Sequence, residues 1–325
     1  MQPKGLPQRI TEIAEENEKL VSTDRTILVP EWFAHAIGTS SEDRFIEVEG
    51  SRIHYLRWGQ PGRPGLFFVH GGFAHAHWWD FIAPFFAEDH CVAAIDLSGM
   101  GDSGQRPKYT GELYAKEIMD VCSDAGFVGR PVVVGHSFGG FVALKAGSLY
   151  GTKLGGVVVA DFPFRPPDLQ QEQDSRRRLV RPKNTYPTLE AALARFRLMP
   201  AQPCENEFIL DHIARCSLAK VDGGWSWKFD DNLFDGFELG NVAEDLEKVT
   251  CPLAVVYGEK SALFPREVIE HTAKLIGNRA PLISIPEAHH HLFLDQPLAF
   301  VKVLRKLLVD WSDPAAAVPA GREGF

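Results

Sequence analysis

The sequence predicts an α/β protein: a mostly parallel central sheet with helices on both faces and one inserted helical cap. Three observations carry this expectation. Short apolar runs rich in β-branched residues recur along the chain, most of them followed by a segment of helical periodicity. One of these runs, Val132-Val133-Val134, passes through Gly135-His136-Ser137-Phe138-Gly139-Gly140 straight into the helix former 141–146. The alternation then breaks once, over 166–240, where the pattern turns helical and aromatic.

Composition bounds the answer further. At 325 residues, 45% hydrophobic and 24% charged, the chain has the make-up of a globular enzyme of one large domain or two ordinary ones. A net charge of -9 with no basic face argues against a nucleic-acid partner. No run approaches the roughly 18 apolar residues of a membrane span, and residues 1–20 lack the apolar core of a signal peptide. Cys91, Cys122, Cys204, Cys216 and Cys251 are odd in number, scattered, and at neither metal nor redox spacing. They read as reduced thiols, and a cytoplasmic location is expected.

Residues 1–40 form an N-terminal extension, in which 11–20 is acidic and weakly amphipathic. Pro30 near the start and Gly38 at the end mark 31–37 as a short helix whose Trp32 and Phe33 pack on the body. The core is expected over 41–165 and 241–312. It opens with a hairpin, 45–49 and 53–58 around Gly50-Ser51. Strand 66–69, helix 78–87, strand 92–95, helix 111–125, the strand and helix around Ser137, and strand 156–160 follow. After the interruption come strand 253–257, helix 266–276, strand 282–285 and a final helix over 296–311. That last helix places Phe300, Val303, Leu304, Leu307, Leu308 and Trp311 on one face. Residues 313–325 are expected to be a disordered tail.

The insertion 166–240 reads as a helical cap. Thr188 is an N-cap ahead of Leu189, Ala192, Leu193 and Phe196, and a second helix runs through Ile209, Ile213 and Cys216. The aromatic stretch Trp225-Ser226-Trp227-Lys228-Phe229 follows. Inserted between two strands, this segment is expected to lie over the strand ends as a lid.

The chemistry is concentrated at Ser137. A strand that becomes a helix within about two residues needs small flanking positions, which Gly135 and Gly139 supply, and it leaves Ser137 exposed at the apex. The N–H groups and positive end of the following helix face the same point. Serine becomes nucleophilic only beside a base. The best source is the loop Glu287-Ala288-His289-His290-His291, directly after the last strand; one of its three histidines can be aimed at the site. Phe138 offers one backbone N–H for a developing oxyanion, and Gly72 in His70-Gly71-Gly72-Phe73 offers a second.

These stretches, with Asp96-Leu97-Ser98-Gly99-Met100-Gly101-Asp102-Ser103 and Asp295-Gln296-Pro297, resemble the α/β-hydrolase family over roughly 43–165 and 240–312. The family loop Pro-x-Ala-Gly-His aligns its catalytic base with His290, places His289 where glycine is usual, and leaves His291 in reserve. The acid that the family carries in a Gly-x-x-Asp pattern is replaced here by Ser261 in Gly258-Glu259-Lys260-Ser261. Some members place it one strand earlier, where this chain has Asp161 after Val159-Ala160. An unpaired aspartate there would be costly to bury, which argues for a partner. Asp161 is the leading candidate, followed by Glu259 and then Glu287.

The resemblance implies an α/β-hydrolase fold and a serine hydrolase of carboxylic esters or lactones, with catalytic Ser137, His290 and Asp161 and an oxyanion hole at Gly72 and Phe138. A carbon–carbon bond hydrolase of diketone-like acids is the alternative on the same site, and a non-catalytic ligand receptor the alternative of another class. Phe73, His136, Phe162, Trp225 and Trp227 are expected to line a pocket for a small apolar or aromatic substrate. No metal or organic cofactor is implied, and oligomeric state is left open between monomer and homodimer. His75-Ala76-His77 has the form of a metal-binding His-x-His, but pocket lining by His75, His77 or Trp78 fits a helix start better. The Gly-rich 98–103 lacks the lysine of a phosphate loop. Arg176, Arg177, Arg178, Arg181 and Lys183 read as a solvated cap face, with recruitment of a carboxylate-bearing substrate as the sharper reading.

Overall fold

The computed structural model describes residues 29–165, 183–235 and 237–312. The strands are β1 (Glu42–Val48), β2 (Ser51–Trp58), β3 (Pro64–Val69), β4 (Cys91–Ile95) and β5 (Val128–His136). They continue with β6 (Gly156–Ala160), β7 (Leu218–Val221), β8 (Gly224–Trp227), β9 (Leu253–Gly258) and β10 (Leu282–Ile285). Eight form one sheet in the order β1-β2-β4-β3-β5-β6-β9-β10, while β7 and β8 make a separate hairpin. β1–β2 and β2–β4 pair antiparallel, and every pair from β4 across to β10 is parallel. The first hairpin turns through Glu49 and Gly50 at φ 46° and 74°, the two successive positive values of a tight two-residue turn.

Apolar runs on the central strands need cover on both faces. On one face Phe67, Val133, Val157 and Val255 pack with helices α2 (Gly111–Asp124) and α3 (Phe138–Tyr150) through residues such as Ile118 and Phe141. On the other, Phe68, Val134, Val158 and Val256 share a core with Trp79 and Phe293, whose rings stack at 4.5 Å. Helix α1 (Glu31–Ile37) buries Phe33 against Phe208 at 4.8 Å.

Between β6 and β9 lie α4 (Leu189–Leu193), α5 (Glu207–Cys216), the β7–β8 hairpin and α6 (Val242–Lys248). Thr188 caps α4 by accepting the Ala191 N–H at 3.2 Å. The aromatic stretch is partly strand: Trp225-Ser226-Trp227 alternates with period two, Ser226 being buried. The segment reaches the core where Gly101 N–H donates to Lys228 O and Asp230 N–H to Gly99 O, both at 2.8 Å. After β9 come α7 (Arg266–Ile276), then α8 (Leu292–Asp295) and α9 (Pro297–Ser312) beyond β10.

One expected helix is absent. Over 78–87 the chain makes two short 3₁₀ turns, Ala76–Trp79 and Ala83–Phe86. Pro84 has no N–H to give a continuing helix, and Trp79, Phe81, Ile82 and Ala83 are all buried, so no polar face is left. Residues 11–20, Arg176, Arg177, Arg178, Arg181 and the tail 313–325 lie outside the described residues. Among the described residues no helix is long and apolar enough to cross a membrane. All five cysteines are free thiols.

Strand register sets up the site. Val69 pairs with Gly135, Gly135 with Val159 and Val159 with Val255, so four parallel strands run in step toward one edge. One residue on, His136 pairs with Ala160 and Ala160 with Val256. Beyond these pairs Ser137 N–H still donates to Ala160 O and Asp161 N–H to Val256 O, both at 2.8 Å.

Candidate active site

Ser137 stands between β5 and α3 at φ 53°, ψ -121°, a conformation that side chains other than glycine's avoid. Three of the five non-glycine residues with positive φ among those described, Phe73, Ser137 and Asp161, stand at this sheet edge. The flanking glycines are there for space. A Cβ on Gly135 would lie 1.9 Å from Gly139 O, and one on Gly139 would lie 2.3 Å from His70 O. The helix therefore packs on the strand ends closely enough that no side chain fits, and the turn throws the Ser137 hydroxyl clear of the sheet.

The loop after β3 comes beside it: a Cβ on Gly71 would sit 3.3 Å from the Ser137 Cβ, and one on Gly72 3.8 Å from the Phe138 Cβ. His70 braces this loop. Its Nδ1–H donates to Gly71 O at 2.7 Å and its Nε2 accepts the Leu97 N–H at 3.1 Å. Phe73 N–H is turned away to Met100 Sδ at 3.3 Å. Among the described residues the N–H groups of Gly72 and Phe138 have no intramolecular acceptor, which leaves both available to an anionic oxygen.

His290 Nε2 lies 3.0 Å from Ser137 Oγ, and its Nδ1 lies 2.8 Å from Asp161 Oδ1. A carboxylate only accepts, so Nδ1 carries the proton and Nε2 presents a lone pair to the serine hydroxyl. Asp161 is fully buried and takes two further donors: Ser261 Oγ–H at 2.7 Å on Oδ1 and Gly258 N–H at 2.8 Å on Oδ2. These bonds offset the cost of removing its charge from water.

The other candidates point elsewhere. Glu259 is exposed and accepts the Glu287 N–H at 3.1 Å, while Glu287 pairs with Lys260 at 2.5 Å. His289 is held by Asp295, through its N–H at 2.7 Å and its Nδ1 at 3.1 Å. Ser261 was not among the expected site residues, although the resemblance marks its position as the usual place of the acid.

A cavity at Ser137 is lined by Gly71, Gly72, Phe73, Ala74, Trp78, His136, Phe196, Arg197, Met199 and His291. Phe73 and His136 are on this lining. Phe162, Trp225 and Trp227 are not on this lining. Phe162 packs between Phe141 and Phe164, at 6.0 Å from each ring. Trp225 exchanges main-chain hydrogen bonds with Tyr186, and Trp227 stands behind Phe196, its ring 6.1 Å away. Phe196, Arg197 and Met199, not among the expected pocket residues, follow α4 in a mostly apolar stretch where Phe196 reads as helix packing and nothing local signals cavity lining.

Other polar clusters are structural in their bonding. The Gly-rich 98–103 wraps Asp96, whose carboxylate takes N–H groups from Ala76 at 2.5 Å and Asp102 at 2.7 Å. His54 lies between Asp96 and Asp43, at 2.7 Å from each. Of the His-x-His pair, His75 meets Ser217 Oγ at 2.8 Å, and His77 shares Asp80 with His212, at 2.9 and 2.8 Å. Lys183 N–H donates to Asp231 at 2.9 Å.

Residues 66–303 match the sequence model of the alpha/beta hydrolase family. Among curated proteins, the chain is 24% identical over 267 residues to Esterase Rv0045c of Mycobacterium tuberculosis, covering 80% of this chain and 88% of that protein. It is 24% identical over 282 residues to human Epoxide hydrolase 4, covering 78% and 74%. Among solved structures, E-2-(acetamidomethylene)succinate hydrolase superposes with a TM-score of 0.71 at 20% identity, covering 83% of this chain and 100% of that one.

Proposed function

The chain belongs to the alpha/beta hydrolase family, and on that premise we propose that it is a serine hydrolase of carboxylic esters or lactones. The observation that carries this reading is the continuous chain Ser137 Oγ–His290 Nε2–Asp161 at 3.0 and 2.8 Å. His290 Nε2 takes the Ser137 proton as Oγ attacks the ester carbonyl carbon. The N–H groups of Gly72 and Phe138 hold the negative oxygen, each donor being worth about a hundred- to a thousand-fold in rate. His290 returns the proton to the departing alkoxide, leaving an acyl-enzyme. Water, deprotonated by the same nitrogen, releases the acid. Asp161 keeps the ring in the tautomer this needs and stabilises its charged form.

The name of the epoxide hydrolase relative does not transfer. Opening an epoxide with a serine hydroxyl leaves an ether, which water does not cleave, so turnover would stop after one event. An acyl ester on Ser137 is hydrolysable, and Esterase Rv0045c is a relative whose name agrees with that chemistry.

Arg197 on the cavity wall supports a second reading on the same site, hydrolysis of a carbon–carbon bond in a diketone-like acid whose carboxylate it would hold. Product analysis on matched esters, lactones and β-diketone acids decides between them, with a fluorophosphonate probe testing Ser137 directly. Stoichiometric labelling with ester turnover is expected. An unlabelled, folded protein would return the chain to the class of non-catalytic ligand receptors.

A further inference from the structure

Phenylalanine rings gather around the two free N–H groups. Phe73, next to Gly72, and Phe138 hold the ring of Phe234 between them. It meets Phe73 at 5.1 Å and 80° and Phe138 at 5.3 Å and 87°, both edge to face. Phe229 closes on Phe73 at 4.9 Å, and Phe237 on Phe138 at 5.3 Å. The tip of Phe234 also reaches the donor residue itself: a Cβ on Gly72 would lie 3.3 Å from its Cζ, its nearest contact outside the adjoining residues. Gly72 is not among the glycines with positive φ, so its backbone does not call for glycine. The room left by its missing side chain is taken by that ring.

The backbone leading to Phe234 is held firmly. Asp230 N–H donates to Gly99 O at 2.8 Å, and its carboxylate accepts the Tyr109 hydroxyl at 2.6 Å. Leu233 is 1% exposed and packs on Gly99, where a Cβ would lie 2.8 Å from its Cδ1. Phe234, next in the chain, is only half-buried. A phenylalanine that served the core alone would be covered as Leu233 is; this one keeps part of its surface open while standing against an oxyanion donor.

We propose that Phe234 sets the size limit of the acyl group, and that the substrates are esters of short-chain acids, acetyl to butyryl; this rests on the serine-hydrolase reading. On the reacting carbon the negative oxygen goes to the N–H groups of Gly72 and Phe138, and the leaving oxygen to His290 Nε2. The acyl chain takes the remaining direction, away from His290, whose ring neighbours are His136 and His291. Beyond the donors it meets Phe73, Phe138 and Phe234. With Asp230 and Leu233 anchored, the Phe234 ring can yield only by its own torsions. The cavity at Ser137 stops at Phe73 without reaching Phe234, and its volume of about 60 Å³ is well under the ~150 Å³ that holds a benzene ring. A long chain therefore finds no room there either.

The test compares p-nitrophenyl acetate, butyrate and octanoate on the full chain and on Phe234→Ala and Phe234→Leu. Val221→Ala, at a 40% exposed position of the β7–β8 hairpin, is the control. The unaltered chain should favour acetate and butyrate over octanoate. In Phe234→Ala the octanoate-to-acetate ratio of kcat/KM should rise at least about ten-fold, since one methylene in an apolar pocket is already worth that much. Phe234→Leu should fall between, and it decides the matter if Phe234→Ala does not fold. A ring with a purely structural role would lower all three esters in proportion and leave the ratio unchanged, as Val221→Ala should. An unchanged ratio, or an unaltered chain that prefers octanoate, overturns the proposal. If no ester is turned over, the serine-hydrolase reading falls, and NMR titration with sodium butyrate and sodium octanoate still decides the size limit. Octanoate that binds only once the ring is removed supports it; octanoate that binds both forms equally overturns it.

Discussion

Ser261 donates its hydroxyl to Asp161 Oδ1 at 2.7 Å, the same oxygen that faces His290 Nδ1 at 2.8 Å. The residue standing where a carboxylate is usual thus acts on the carboxylate that stands one strand away. β6 and β9 are neighbours in the sheet, so their ends reach one imidazole from adjacent positions. Asp161 at the end of β6 and Ser261 after β9 thus meet at one carboxylate oxygen beside His290 Nδ1.

Asp161→Asn is accordingly the sharpest test. The amide keeps the volume but favours the wrong tautomer and cannot stabilise the imidazolium, so a loss of roughly ten-thousand-fold in kcat is expected. Glu259→Gln should cost little. Ser261→Asp in the Asp161→Asn background should recover part of the rate. Retention of most of kcat by Asp161→Asn would remove it from the mechanism.

Ser261→Ala removes one donor from a buried carboxylate that keeps Gly258 N–H and His290. A stability loss of about 1.5–3 kcal/mol is expected from urea unfolding, with a rate loss well short of that of Asp161→Asn.

Ser137→Ala should abolish fluorophosphonate labelling and lower kcat by several orders of magnitude, and His290→Ala should match it. His289→Ala, whose side chain is bound to Asp295, should be milder. Adding Asp161→Asn to Ser137→Ala should cost almost nothing further, because the three act as a unit. A His289→Ala variant more damaged than His290→Ala would show the base to be misassigned.

Gly135→Ala would put a methyl carbon 1.9 Å from Gly139 O. Backbone on both sides leaves no room to yield, so the variant should lose labelling even if it is recovered folded. A labelled variant with an unshifted melting temperature would disprove the packing argument for this turn.

His54 gives the fold an alkaline limit. Burial opposes its charge, but hydrogen bonds to Asp43 and Asp96 outweigh that and hold it up to about 9. A folded value above the unfolded one of about 6.5 stabilises fully below 6.5 and is lost as pH rises through 9. The melting temperature should therefore fall between these values, by at most one proton's worth, about 1.4 kcal/mol per pH unit. His54→Gln should start lower and lose this slope. An unchanged slope would place the alkaline limit elsewhere.

Much of the fold is legible in short stretches. The β-branched runs, the hairpin at Gly50 and the helices at 31–37 and 266–276 each follow from a pattern complete within a few residues. The same holds for Ser137, because the requirement for small residues at Gly135 and Gly139 is local. The expected helix over 78–87 failed where an all-round apolar stretch with an internal proline mimicked helical periodicity.

What the tertiary structure decided is which distant groups meet. His290 and Asp161 are 129 residues apart, and Ser261 and Asp161 are 100 apart. All three of Asp161, Glu259 and Glu287 are acids beside strand ends, and the sequence ranks Asp161 first only through the resemblance and the cost of burying it unpaired. Which of them lies beside His290 is set by sheet order and register, which place β5, β6 and β9 side by side and in step. The cavity wall is the same kind of case. Phe196, Arg197 and Met199 reach it, while Trp225 and Trp227 do not, because the packing of the inserted segment on the core directs those side chains. Periodicity is a property of neighbours along the chain and can be read from it; a site is a property of neighbours in space, fixed only once the strands have paired.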